Sequence, residues 1–130
     1  MMLEEKRRLL ELLDQEGKWC QHAEARDAHG LPVSCDADSA AAWDVTGALY
    51  QLFGEDRAAA LYVQLDRHIH GKRRDFGWPP RDSELDAMEA LQAFNDGADA
   101  SFELVRSRLE SMPVWSGDRS QRLVEPTQSG

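Results

Sequence analysis

Apolar residues recur at helical spacing along most of this chain and switch to strict alternation in one short stretch. From about Met2 to Glu16, Leu9, Leu10, Leu12 and Leu13 gather on one side of a charged segment that Gly17 stops, predicting a first helix. A second is expected after Asp38 and Ser39, either of which can cap, and it ends at Gly54. At about 100° per residue, Ala42, Val45, Leu49, Leu52 and Phe53 share one of its faces. Trp43, Gly47 and Tyr50 share another, leaving mainly Asp44, Ala48 and Gln51 for solvent. A helix apolar on two sides is a central helix. Gly47 inside it costs about 0.5–1 kcal/mol relative to Ala, which a second backbone packed against it would offset.

A third helix, about Asp56 to His70, carries the stripe Ala58, Leu61, Tyr62, Leu65 and Ile69 and stops at Gly71. Pro79 and Pro80 make "KRRDFGWPPRD" a loop. The fourth helix starts near Asp82 or Ser83 and stops at "NDG", with Ala87, Met88, Leu91 and Phe94 inward. The fifth, about Ala100 to Met112, follows an Asp99 cap, buries Phe102, Val105 and Leu109, and ends at Pro113. The exception is "WCQHAEARDAHGLPV". Trp19, Gln21, Ala23 and Ala25 alternate with Cys20, His22, Glu24 and Arg26, "DAHG" forms a turn, and Pro32 confines the return strand to an edge. The expected fold is mainly α: five helices in a single domain over residues 1–112, with a small β-hairpin at about 18–34 after the first helix and a flexible tail at 113–130.

Composition fits that expectation: in 130 residues, 42% hydrophobic and 30% charged describe an ordinary globule with a core. No apolar run approaches the roughly 20 residues that span a bilayer, and the N-terminus lacks a signal-peptide pattern, so the cytoplasm is the expected compartment. The two cysteines then read as free thiols. The net charge of −9 is the wrong sign for a non-specific nucleic-acid binder and suits a basic partner, or a surface that imitates nucleic acid.

Three segments carry a resemblance. "WCQHAEARDAHGLPV", "AAWDVTGAL" (Ala41 to Leu49) and "FND" (Phe94 to Asp96) occur in the order of an uncharacterised family of short bacterial and phage proteins. Its segments read W-x-Q-G-A-x-A-R-D-A-x-G-x-x-V, A-x-W-C-x-x-G-A-L and W-N-D. The chain is similar to that family over about residues 18 to 96 and departs from it at His22, Asp44 and Phe94, which stand at its Gly, Cys and Trp. The resemblance implies a fold and no activity. Asp44 in place of Cys argues against thiol chemistry shared at that position.

The clustered polar residues admit two readings. Arg26, Asp27, Asn95 and Asp96 could form an active site. Alternatively they are scaffold, with Arg26 tying the hairpin to Asp96 or to carbonyls ending the fourth helix, and Asp27 opening the turn. Cys20, His22, His29, Cys35 and Asp36 match no zinc-ligand spacing, and strand neighbours two apart lie about 7 Å apart at Cα, too far for a Cys–His pair. His68 and His70 diverge around a helix and suit its C-terminal dipole. No metal, cofactor or catalytic residue is assigned. Lys72, Arg73, Arg74 and Arg81 with Phe76 and Trp78 resemble a single-strand nucleic-acid contact, but on so acidic a chain they suit a protein contact better.

From Asp82 to Leu104 there are seven carboxylates and no Lys or Arg, and Asp82, Asp86, Glu89 and Asp96 share one side of the fourth helix. Residues 27–56 also lack Lys and Arg. The expected function is a non-catalytic acidic interaction module with a protein partner, contacted through Asp82, Asp86, Glu89 and Asp96 or through Arg73, Arg74 and Trp78. The competing class is an enzyme or small-ligand binder with a pocket between the hairpin and the second and fourth helices. Trp19, Gln21, Arg26, Trp43, Tyr50 and Asp96 would line that pocket.

Overall fold

The computed structural model describes residues 1–71 and 83–114. The predicted 72–81 loop with Arg73, Arg74 and Trp78, the residue Asp82, and the tail from Trp115 lie outside the described residues. Helices dominate, in the order α1 (Leu3–Leu12), a 3-10 turn (Glu16–Lys18), strands β1 (Ala25–Asp27), β2 (Pro32–Val33) and β3 (Ala40–Trp43), then α2 (Val45–His70), α3 (Ser83–Asp96) and α4 (Phe102–Glu110).

There are therefore four described helices rather than five. The expected second and third helices run as one element, α2, broken only where Gly54 leaves helical geometry at φ 81° and ψ 173°. That backbone conformation is open to glycine at little cost, so the chain changes direction at one residue without a separating loop. α1 is also shorter than its leucine pattern suggests. It stops at Leu12, and the carbonyls of Leu10 and Leu13 accept bonds of 2.7 and 2.8 Å from the Arg106 guanidinium on α4. Lys6 reciprocates by donating to the carbonyls of Glu110 and Met112 at the end of α4. Each helix thus supplies a cation to the other's carboxyl end, where orphan carbonyls favour it. The cap of α4 is Ser101, whose hydroxyl accepts Leu104 N–H at 3.1 Å, rather than Asp99.

Leu9, Leu13, Val45, Leu49, Leu61, Leu65, Leu91, Val105 and Leu109 form the centre of the core, each fully buried. The stripes predicted for the three later helical segments supply most of them. The first turn of α2 departs from its predicted faces, because Asp44 and Ala48, expected at solvent, are both buried.

The reason is a third strand. Ala40 to Trp43, an alanine-rich run with good helix propensity, pairs antiparallel with β1 instead of opening α2, and the sheet order is β2-β1-β3. Tertiary pairing overrides propensity here. Asp44, not Asp38 or Ser39, becomes the cap: its carboxylate accepts Gly47 N–H at 2.6 Å. Pro32 does sit on an edge strand, as its missing N–H requires.

The alternation from Trp19 does not produce a strand before Ala25. Residues 20–24 instead wrap the C-terminal end of α3, with His22 at φ 66°, before β1 begins. Glu24 then crosses α2 so closely that a Cβ on Gly47 would collide with its carbonyl oxygen and lie 3.0 Å from its carbonyl carbon. The same carbonyl accepts Asp44 N–H at 3.2 Å. The predicted backbone contact over Gly47 is thus present. Gly47→Ala is expected to destabilise the protein by about 1–3 kcal/mol through forced displacement of the hairpin. Urea unfolding of the two proteins checks it, and equal midpoints would contradict it.

Candidate functional site

Among the described residues, two polar features lie along the seam between the sheet and the helices, one closed and one open. The closed one is centred on Asn95, at the C-terminal end of α3 and fully buried. Its Oδ1 accepts Trp19 Nε1–H at 2.7 Å and Val45 N–H at 3.2 Å. Its Nδ2 donates to the Cys20 carbonyl and to Asp96 Oδ1, both at 2.9 Å. All four hydrogen-bonding positions of the amide are filled. Gln21 Nε2 donates to the Asn95 carbonyl at 2.9 Å, and Asp96 Oδ1 also accepts His22 N–H at 2.9 Å.

The proposed pocket residues Trp19, Gln21 and Asp96 are therefore brought together, with their polar atoms engaged in holding the hairpin to α3. Arg26 reaches neither Asp96 nor the end of α3. Its guanidinium donates to the carbonyls of Gly30 at 2.8 Å and Gln21 at 3.1 Å, bracing the hairpin internally. Asp27 opens the turn by accepting His29 N–H at 2.8 Å and Leu31 N–H at 3.0 Å, and those backbone bonds hold its carboxyl below the usual range. Trp43, on β3 rather than on a helix, donates Nε1–H to the Cys35 carbonyl at 2.9 Å.

The open feature is a cleft of about 330 Å³. The hairpin side contributes Glu24, Ser34, Cys35 and Asp36. Thr46, Gly47, Tyr50 and Tyr62 of α2 form the floor, and Met88 and Gln92 of α3 the far wall. Of the six residues expected around a pocket on this seam, Tyr50 alone borders the cleft among the described residues. Asp86 and Glu89 lie on α3, each already engaged in an interaction, and line no part of it.

Two carboxylates, Glu24 and Asp36, and two tyrosines, Tyr50 and Tyr62, border the cleft. No Lys or Arg borders it among the described residues. Glu24 Oε2 accepts Cys35 N–H at 2.7 Å, and Asp36 Oδ1 accepts the Ser34 hydroxyl at 2.6 Å, which fixes both carboxylates to the hairpin. Burial, reinforced by Glu24, pushes the Cys35 thiol up to about 12, and burial pushes Cys20 up to about 11. Both are protonated at neutral pH and are poor nucleophiles where they stand. The Tyr62 hydroxyl, pushed up to about 12 mainly by burial, donates to the Thr46 carbonyl at 3.2 Å. Among the described residues, no group of three or more His, Cys, Asp or Glu side chains could hold a metal ion. His68 and His70 occupy the last turn of α2 and bond separately, to Ser111 at 2.8 Å and to Asp66 at 2.7 Å.

Asp44 lies behind the cleft floor, 3% exposed. Burial pushes its carboxyl up to about 6, against the opposing pull of the Gly47 N–H and the Thr46 hydroxyl, while Asp96 and Glu24 add like-charge repulsion. The folded carboxyl thus holds its proton more tightly than the unfolded one, with its ordinary value of 3.8. The sign follows: this group's contribution favours folding below about pH 4, and that advantage is lost as pH rises through about 6. Asp44→Asn keeps a capping acceptor and removes the charge, so it is expected to be more stable than the parent by about 1–3 kcal/mol at pH 7 and equal to it near pH 4. Urea titrations at the two pH values check this, and a variant weaker than its parent at pH 7 would contradict it.

Among the described residues no helix is long and apolar enough to cross a membrane. No curated protein matches this sequence, and no solved structure matches it. A family model does, over residues 6–116, which takes in most of α1, the sheet, the buried amide, the cleft and α4. The chain belongs to the family of unknown function DUF6197.

Proposed function

We propose that this protein is a non-catalytic acidic interaction module that binds a basic surface of a protein partner. The observation that carries the reading is the cleft between sheet and helices, with two exposed carboxylates, Glu24 and Asp36, and no bordering Lys or Arg among the described residues. The field around it has the same sign. The chain carries a net charge of −9, and residues 27–56, which contribute β2, β3 and the first half of α2, contain no Lys or Arg. Such a field steers a cationic partner and raises association rates at low ionic strength. The protonated, buried thiols support binding over covalent chemistry. Asp86 and Glu89 of α3 extend the acidic character of the molecule beyond the cleft.

A small-ligand pocket is the second reading, favoured by the same cleft, whose volume of about 330 Å³ falls at the low end of the usual range of roughly 300–1,000 Å³. The two readings differ in how much surface the ligand covers. A basic peptide of about fifteen residues, titrated at 50 mM salt, is expected to bind saturably at one to one. Its affinity is expected to fall at least tenfold by 500 mM as screening shortens the field. Affinity unchanged across that range, or no binding at 50 mM, would overturn the reading.

A further inference from the structure

We infer that the cleft is a receptor for one arginine side chain of the basic partner, an inference that rests on the acidic-module reading and gives it a specific anchor. Size sets the first limit. A volume of about 330 Å³ accepts one long side chain and is too small for a folded element.

The walls then select the chemistry. Glu24 and Asp36 are exposed at the hairpin side, and a cation entering there meets two carboxylates with no resident Lys or Arg to displace among the described residues. Tyr50 is 37% exposed and presents an aromatic ring at the cleft. A planar guanidinium can stack on such a ring and direct its N–H groups sideways to carboxylates, whereas an ammonium is a point charge that prefers full hydration. Tyr62 and Met88 supply apolar surface for the methylene stem.

Gln92 adds a neutral hydrogen-bonding group to the far wall. It is half-buried in the far wall, and its amide makes no hydrogen bond among the described residues. Its side-chain oxygen can accept an incoming N–H. The walls also stand ready before any ligand arrives. The Glu24 backbone is held against Gly47 and Asp44, and the two carboxylates are bonded to Cys35 N–H and to Ser34. Preorganisation of that kind lowers the ordering cost of binding.

The test uses the full chain and three probes at 50 mM salt: a short neutral peptide carrying one central arginine, the same peptide with lysine, and free arginine amide. Binding is followed by NMR at the Met88 methyl and the Tyr50 ring. The arginine peptide is expected to shift both signals saturably, with affinity at least fivefold above the lysine peptide and above arginine amide. Glu24→Gln, which retains an acceptor for Cys35 N–H, is expected to weaken binding at least fivefold with an unchanged unfolding midpoint. Tyr50→Ser is expected to do the same from an exposed position and covers the case in which Glu24→Gln loosens the hairpin.

Equal binding of the lysine peptide, or indifference to both substitutions, would overturn the guanidinium assignment. Arginine amide binding as tightly as the peptide would overturn the protein-partner assignment in favour of a free small cation. If the fifteen-residue basic peptide binds with salt dependence while Met88 and Tyr50 stay unmoved, the pocket fails and the acidic-module reading stands. If no cationic probe binds, both fail.

Discussion

One buried amide holds the chemistry-bearing part of this chain in place. Asn95 joins three segments distant in sequence: the approach to the hairpin through Trp19 and Cys20, the start of α2 through Val45, and its own helix through Asp96. An amide is the group that suits the position, since it faces two donors and two acceptors at once. A hydrophobic residue there would leave an indole N–H, a helix N-terminal N–H and a carbonyl buried without partners, each costing about 1–3 kcal/mol. A carboxylate would meet Asp96 and a carbonyl with charge of the wrong sign. The backbone that Asn95 anchors at Cys20 then runs to Glu24, which rests on Gly47, and the cleft lies just beyond. The position of the acidic wall is thus a consequence of two scaffold contacts, the amide and the glycine notch.

That arrangement explains why the densest polar stretch of the sequence is mostly architecture. Arg26 and Asp27 stabilise a turn of few residues, Gln21 and His22 N–H tie it to the end of α3, and Trp19 and Trp43 use their N–H groups inside the scaffold. A hairpin this short is marginal alone, so side chains that might have served chemistry supply its hydrogen bonds. The groups that border the cleft are simpler ones: Glu24, Asp36 and the Tyr50 ring, with Gln92 partly exposed beside them. Under the proposed function they attract and seat a cation. They do not form a nucleophile–base pair.

The helical core was legible from periodicity, because stripes such as Ala58–Leu61–Tyr62–Leu65 read the same way in sequence and in space. The turn at Asp27 and the close approach over Gly47 were legible too, since each residue type has a local conformational or steric reason to be there. β3 was hidden, because "AAAW" favours helix by propensity and its pairing partner lies some fifteen residues earlier. The alternation before Ala25 misled in the opposite direction, since residues 20–24 are shaped by bonds to Asn95 and Asp96 rather than by a neighbouring strand. Asn95 itself carried a signal: it falls four residues after Leu91 on the inward face of α3. Followed by Asp and Gly, it read as an ordinary helix stop. The lining of the cleft is not legible in sequence, because Glu24, Asp36, Met88 and Gln92 come from three separate segments and carry no shared local pattern.

Hydrogen exchange tests the anchoring amide most directly. Val45 N–H begins a helix and has no intrahelical acceptor, so ordinary helix starts exchange it rapidly. With Asn95 Oδ1 bonded to it and to the Trp19 indole N–H, both protons should exchange only through global unfolding, with protection matching the stability measured by denaturant. Exchange of either proton within about tenfold of an unstructured peptide would contradict the account and detach the hairpin, and with it the cleft, from the core.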